Sequence, residues 1–178
     1  MIALVRKIAV IPYDKSGHEL FKLEKERLAE ILGEQALSIH HIGSTAIPNI
    51  KAKPIIDILV EVKKIETIDE FNDRMLQGGY QPRGENGIPG RRFFIKNKGA
   101  TRTHNVHMFQ TGNPEIERHL NFRDYLIAHP EEAQAYSNLK EELAQKFPKD
   151  ILNYTTGKDE FIKKIDNKAK TWKKQMAD

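Results

Sequence analysis

The chain has 178 residues, no cysteine, 39% hydrophobic and 30% charged residues, and a formal net charge of +4. That length and composition suit a globular protein large enough to bury a real core, roughly 70% of its unfolded-chain surface, and exclude a disordered chain. The lack of cysteine excludes disulfides, thiolate metal sites and cysteine nucleophiles.

The opening "MIALVRKIAVIPYD" has an apolar stretch broken by Arg6 and Lys7. It is too short to span a bilayer and has no cleavage pattern, so a cytoplasmic protein without membrane association is expected. "LVRKIAVI" (Leu4–Ile11) reads as a strand and "PYDKSG" as a turn. From His18 to Leu32, apolar residues at helical spacing predict an amphipathic helix stopped by Gly33. "ALSIHHIG" reads as a strand with Leu37, Ile39 and His41 on one face. "PIIDILVEV" is apolar except for Asp57 and Glu61, the pattern of a central strand covered on both faces.

A helix is expected over Thr67–Leu76, ending at "QGGY". "RRFFIKN" and "THNVHMFQ" read as two strands, with "NKGATR" as a hairpin connection. From Pro114 the pattern turns helical. Ile116, Leu120, Tyr125 and Leu126 share one face; after His129-Pro130 come Ala133, Tyr136, Leu139, Leu143 and Phe147; a last helix carries Phe161, Ile162, Ile165, Ala169 and Trp172. The order predicts an α+β protein: one domain over 1–178, an α/β core to about residue 112, and a helical part packed on it.

Four places carry candidate chemistry. Gly43-Ser44 follows a strand; glycine allows close backbone approach, and Ser44 or Thr45 could cap a short helix whose N–H groups attract phosphate. A plain strand–turn junction has the same sequence. Asp57 is an ionisable group inside an apolar strand, so it needs a cation, a metal or hydrogen-bond donors. Glu61 shares its face, but at ~3.3 Å per residue it lies roughly 13 Å away and reads as a strand-end residue. Leu59, between them, offers no ligand atom.

In "RTHNVHMF", alternation puts Thr103, Asn105 and His107 on one face and His104, Val106 and Met108 on the other. If Val106 and Met108 belong to a core, His107 and Asn105 face a cleft, and His107 is a candidate metal ligand or proton carrier; the opposite assignment holds if the helical layer covers the other face. Arg91 and Arg92 lie on opposite strand faces, one of them able to fork onto a phosphate or carboxylate. In "YTTGKDEF", Tyr154 and Lys158 stand near a helix start that Thr155 or Thr156 could cap, a setting that favours an anion unless Lys158 is simply a surface lysine. The basic tail "KKIDNKAKTWKK" permits a nucleic-acid partner without demanding one, and no aromatic stacking run supports it.

"VIPYD", "HIGSTAIPNIKAKPIIDILVEV", "GRRFFIK", "RTHNVHMF", "RHLNFRDYLIAHPEEAQAYSNLKEELA" and "YTTGKDEFI", in this order, resemble the blocks of the GrpB (UPF0157) family over nearly the whole chain. The resemblance implies a nucleotidyltransferase-like, polymerase-β-like fold, with a mixed sheet flanked by helices. It also implies that Gly43 and Ser44 open a helix beside a triphosphate, and that Asp57 and then Leu59 occupy an Asp-x-Asp position facing magnesium. The "HNVHMF" strand takes the place of a third carboxylate and offers His107 or Asn105. Similar domains occur fused to dephospho-coenzyme A kinases, which hints at nucleotide or coenzyme A metabolism.

Two-metal phosphoryl transfer wants carboxylates bridging ions ~3.5–4 Å apart, and one aspartate plus histidine is a thin shell for Mg²⁺. A single Mg²⁺ held mainly by substrate phosphates, or Mn²⁺ or Zn²⁺, which accept imidazole more readily, is the alternative. Two functions follow as expectations. One is a metal-dependent nucleotidyl- or phosphoryl-transferring enzyme. In it Asp57 and His107 would be catalytic and hold Mg or Mn, while Gly43, Ser44, Thr45, Arg91, Arg92, Tyr154 and Lys158 would meet a nucleotide or other phosphate ligand. The other is a nucleotide- or coenzyme-binding domain that has lost the second metal carboxylate at Leu59.

Overall fold

The computed structural model describes residues 7–178. Helix α1 (Ser16–Leu32) is followed by strand β1 (Ala36–Ile42) and strand β2 (Ile56–Val62). Helix α2 (Asn72–Gln77), the two-residue strand β3 (Gln81–Pro82) and the hairpin β4 (Arg91–Lys98) and β5 (Thr101–Gln110) complete the first part. Helices α3 (Pro114–Ala128), α4 (Pro130–Lys146) and α5 (Ile151–Ala177) follow. The strands form one sheet in the order β1-β2-β5-β4-β3. β2 and β5 pair in parallel at its centre; the other pairs are antiparallel. This is the α+β architecture expected: a mixed sheet flanked by helices, with a helical C-terminal part.

Alternation along the strands sorts the residues into two layers. Ile56, Ile58, Val60 and Val62 of β2 and Val106 and Met108 of β5 pack with Leu28 and Leu32 of α1, Met75 of α2 and Tyr80 in the main core. Asp57, Leu59 and Glu61 point the other way. There Ile42, Leu59, Phe109 and Ile116 form one cluster, and Ile47, Ile50, Tyr125, Leu126, Tyr136 and Ile165 another. The core side of β5 is therefore the Val106 side, which puts Asn105 and His107 on the face of Asp57. Glu61, at the far end of β2, accepts hydrogen bonds from Ser38 Oγ and Thr111 Oγ1, both at 2.9 Å. It is a strand-end residue, as its spacing predicted.

The helical layer is placed by local signals. Asn113 caps α3 by accepting from Glu115 N at 2.9 Å, and proline opens both α3 and α4. In α5, a Cβ added at Gly157 would lie 2.5 Å from Leu143 Cδ2, so glycine lets α5 approach α4 closely. That approach presents Tyr154 and Lys158, one turn apart on α5, toward α4 and the sheet.

Four expectations need correction. The first strand falls partly outside the described residues; within them, Lys7–Val10 are not strand, and Ile11 makes only a single antiparallel bridge to Ala52. The helix expected over Thr67–Leu76 is a 3-10 helix, Ile65–Phe71, running into the short α2. Leu37 is exposed while Ile39 and His41 are buried, because a register shift between Ala36 and Ser38 breaks the alternation. The last helix starts earlier than its threonines suggest: Asp150 caps it, accepting from Asn153 N at 3.1 Å, so Thr155 and Thr156 lie inside it.

Candidate functional site

Asp57 stands opposite Asn105 in the central parallel pair, and Leu59 stands opposite His107. Asn105 Nδ2 donates to Asp57 Oδ1 at 3.2 Å, and His107 Nε2 lies 3.4 Å from the same oxygen. The His107 Nδ1 atom is 3.2 Å from Arg91 Nη1. A guanidinium only donates, so Nδ1 is the acceptor and Nε2–H is the donor to Asp57. Burial pushes the Asp57 carboxyl up, but the hydrogen bonds from His107 and Asn105 outweigh it and leave the pKa below the usual value.

Gly43 explains how Asp57 is approached. Its φ of 74° and ψ of −172° lie where only glycine is comfortable, and a Cβ there would meet Asp57 Oδ2 at 2.8 Å. The next residues, Ser44–Ala46, form a single 3-10 turn. Neither Ser44 nor Thr45 caps it; Thr45 Oγ1 instead pairs with His41 Nε2 at 2.9 Å. The expected helix beside the phosphate is one turn long, too short for a helix dipole to matter.

Asp57, Asn105, Gly43, Ser44 and Thr45 line a cavity of about 190 Å³ closed by Lys53, Tyr136 and Lys140, and by Tyr154 and Lys158 of α5. Lys53 Nζ and Lys158 Nζ sit 5.2 and 4.7 Å from the centre of the Tyr154 ring, and Lys140 Nζ sits 4.5 Å from that of Tyr136. Lys140 is 2% exposed, and its Nζ has no hydrogen-bond partner among the described residues; the buried Tyr154 hydroxyl has none either. Burial, then repulsion from Lys158 and Lys53, brings the Lys140 pKa down to about 7. Burial and Lys53 bring Lys158 to about 8, against the pull of Asp57. Lys53 is lowered by its own burial. Three ammonium groups thus face one carboxylate that already has two donors.

The structure gathers six of the sequence candidates, Gly43, Ser44, Thr45, Asp57, Tyr154 and Lys158, around one cavity, with His107 at its flank. Arg91 is on the same sheet face but buried behind His107, where it also donates to the carbonyls of Glu85 and Asn86. Arg92 points to the opposite side and pairs with Asp69 at 2.7 Å, away from the cavity. Sequence reasoning missed Lys53, Tyr136 and Lys140 as site residues. The signal for Lys140 was present: it follows Tyr136 by four and precedes Leu143 by three, on the apolar face of its helix. Behind His107 lies His119, ring centroids 5.7 Å apart. Its pKa falls to about 3 through burial and Arg118. It is a neutral ring that neither contact nor spacing had marked.

Comparison with known proteins gives the family of the chain. The GrpB protein family model matches residues 7–168. The chain belongs to the GrpB family. The UPF0157 protein YqkA of Bacillus subtilis is 54% identical over 169 residues, 95% of this GrpB chain and 49% of YqkA, so the chain spans about half the length of that relative. The crystal structure of the conserved protein GrpB from Enterococcus faecalis is 45% identical, with a TM-score of 0.88, over 92% of this chain and 99% of that one. A dephospho-CoA kinase of Mycobacterium tuberculosis matches 92% of the chain at 28% identity with 46% of its own length.

Proposed function

We propose that this GrpB chain binds a nucleotide or other phosphate-bearing ligand in the cavity between Asp57 and α5. The observation that carries the reading is Lys140: a buried amine with no hydrogen-bond partner, among two further lysines, beside an open-backbone turn. An unmatched buried cation is costly, and an anion placed among the three lysines removes that cost. Lys53, Lys140 and Lys158 would neutralise the phosphate oxygens, and the Ser44 and Tyr154 hydroxyls would donate to them. His107 and Asn105 hold Asp57 ionised and in place, and Gly43 keeps the backbone out of the way.

The donor set supports at most one divalent cation. Among the described residues, no group of three His, Asp or Glu side chains is placed to hold a metal. Leu59 is fully buried in an apolar cluster, and the His107 lone pair is engaged by Arg91. Asp57 would share an Mg²⁺ or Mn²⁺ with ligand oxygens, and the ion would supply charge neutralisation at the phosphoryl group. Nucleotidyl or phosphoryl transfer is the catalytic extension of this reading. Leu59 favours the other outcome, a binding domain without the second carboxylate.

Thermal unfolding with nucleoside triphosphates, coenzyme A and inorganic tripolyphosphate tests binding; a ligand at 100 times its Kd adds about 2.7 kcal/mol. Absence of stabilisation by every anion contradicts the reading. Labelled triphosphates with Mg²⁺ or Mn²⁺ test transfer: turnover that Asp57→Ala abolishes supports an enzyme, and no turnover by the wild type with retained binding supports the binding domain.

A further inference from the structure

The lysine-lined cavity is smaller than the roughly 300–1,000 Å³ of sites that enclose whole organic ligands. A second, larger cavity of about 450 Å³ lies on the other side of the sheet end, under the first turn of α1. The two share a wall: Thr45, Ala52 and Lys53 line both. The same strand ends also serve both, with Ile56 and His104 lining the larger cavity, and their neighbours Asp57 and Asn105 the smaller. The larger one is walled by Ile11, Tyr13, Leu20, Ile50 and Ile56, and no part of the phosphate reading uses it.

We infer that this second cavity receives the organic body of the ligand whose phosphates meet the lysines, so that the ligand is a phosphate ester carrying an apolar body of nucleoside or coenzyme size. The inference rests on the phosphate reading. Lys53 stands at the boundary, where it can meet phosphate on one side while the body passes on the other.

His104, at the edge of the larger cavity, turns its ring toward Glu24. His104 is 8% exposed, and its Nδ1 pairs with Thr103 Oγ1 at 2.8 Å. That hydroxyl donates its own proton to the Lys96 carbonyl, so Nδ1 carries the ring proton and Nε2 is an acceptor in the neutral ring. Nε2 is buried with no hydrogen-bond partner among the described residues; the Glu24 carboxylate, 3.9 Å away, cannot donate to it when ionised. Burial holds His104 below the ordinary imidazole range.

Gly17 gives a clean test. It is on the cavity wall inside α1, has ordinary helical backbone, and a Cβ there makes only van der Waals contacts, 3.7 Å to Ile56 Cδ1 and 3.8 Å to the Thr45 carbonyl oxygen. Gly17→Leu therefore projects a side chain from the α1 wall, on an element that carries none of the three lysines; Leu20→Trp, at the lip, is an independent block should the first variant unfold. Calorimetric titration compares ATP, UTP and coenzyme A with inorganic tripolyphosphate. The expected result is that at least one organic ligand binds wild type tenfold or more tightly than tripolyphosphate, and that both variants lose this advantage while tripolyphosphate affinity stays unchanged. If no organic ligand outbinds tripolyphosphate, or the advantage survives both blocks, the second cavity is not a subsite, although the phosphate reading stands. If tripolyphosphate and the organic ligands all fail to bind, the phosphate reading falls and takes this inference with it.

Discussion

The two faces of the sheet each bury charge, but they do so differently. On the α1 face, Glu24 is 5% exposed and fully matched. It accepts from Lys96 Nζ at 2.9 and 3.2 Å, from Arg27 at 3.3 Å, and from the Tyr80 hydroxyl. On the α5 face, Lys140 is buried as deeply with no hydrogen-bond partner among the described residues, and its charged neighbours Lys53 and Lys158 repel it. Depth of burial is therefore not the distinction. A matched network is a structural element, costly to break and inert once made; an unmatched one is held at the expense of stability and is poised for a ligand.

Breaking the matched side has the largest expected effect. Glu24→Ala leaves the half-buried Lys96 without its partner and should destabilise the protein by about 3 kcal/mol. Denaturant unfolding measures this, and a change below about 1 kcal/mol would show that the network contributes little. The next effect is at Gly43. Gly43→Ala forces a side chain into a glycine-only conformation and against Asp57 Oδ2, a loss of about 1–3 kcal/mol accompanied by loss of phosphate binding. A variant that unfolds normally and binds normally would separate Gly43 from Asp57.

The smallest change has the opposite sign. Lys140→Met removes an unmatched buried cation, so the unliganded protein should gain on the order of 1 kcal/mol while losing anion binding. A destabilised Lys140→Met protein would mean that Lys140 is as well matched as Glu24. The pH dependence sharpens the same contrast. The Lys140 pKa is about 7 in the folded chain, below its ordinary 10.5, so the unfolded chain binds more protons between those values. Its contribution to stability is full above the unfolded value and is lost as pH falls toward 7. Anion binding needs the protonated amines and runs the other way, weakening as pH rises through 7 to 8. Stability and affinity measured from pH 6 to 9 should therefore diverge, and Lys140→Met should flatten much of the stability trend.

The two faces were not equally legible in the sequence. Asp57 could be found because a carboxylate in "PIIDILV" contradicts its surroundings, while Val106 and Met108 offered the face of His107 as one of two assignments and the packing of the main core decided between them. The order of elements and the α+β class followed from the change of hydrophobic period at Pro114. Arg92 looked as eligible for the site as Arg91 because their alternation is visible while the side of the helical layer is not; Asp69, its partner, is 23 residues away. Lys140 was passed over because a lysine among glutamates on a helix normally reads as solvated. Only its spacing from Tyr136 and Leu143 placed it on the buried face. The contact between Gly43 and Asp57, and the second cavity around the strand end, depend on how a loop folds back over β2, which local pattern does not encode.

The central claim is that the lysines around Asp57 are unmatched because a phosphate ligand matches them. Calorimetric titration of inorganic tripolyphosphate at pH 7.5, repeated in two buffers of different ionisation enthalpy, tests it most directly. The account predicts saturable binding with net proton uptake, both lost in Lys140→Met. Binding without proton uptake, or unchanged in Lys140→Met, would contradict it, as would no binding by the wild type.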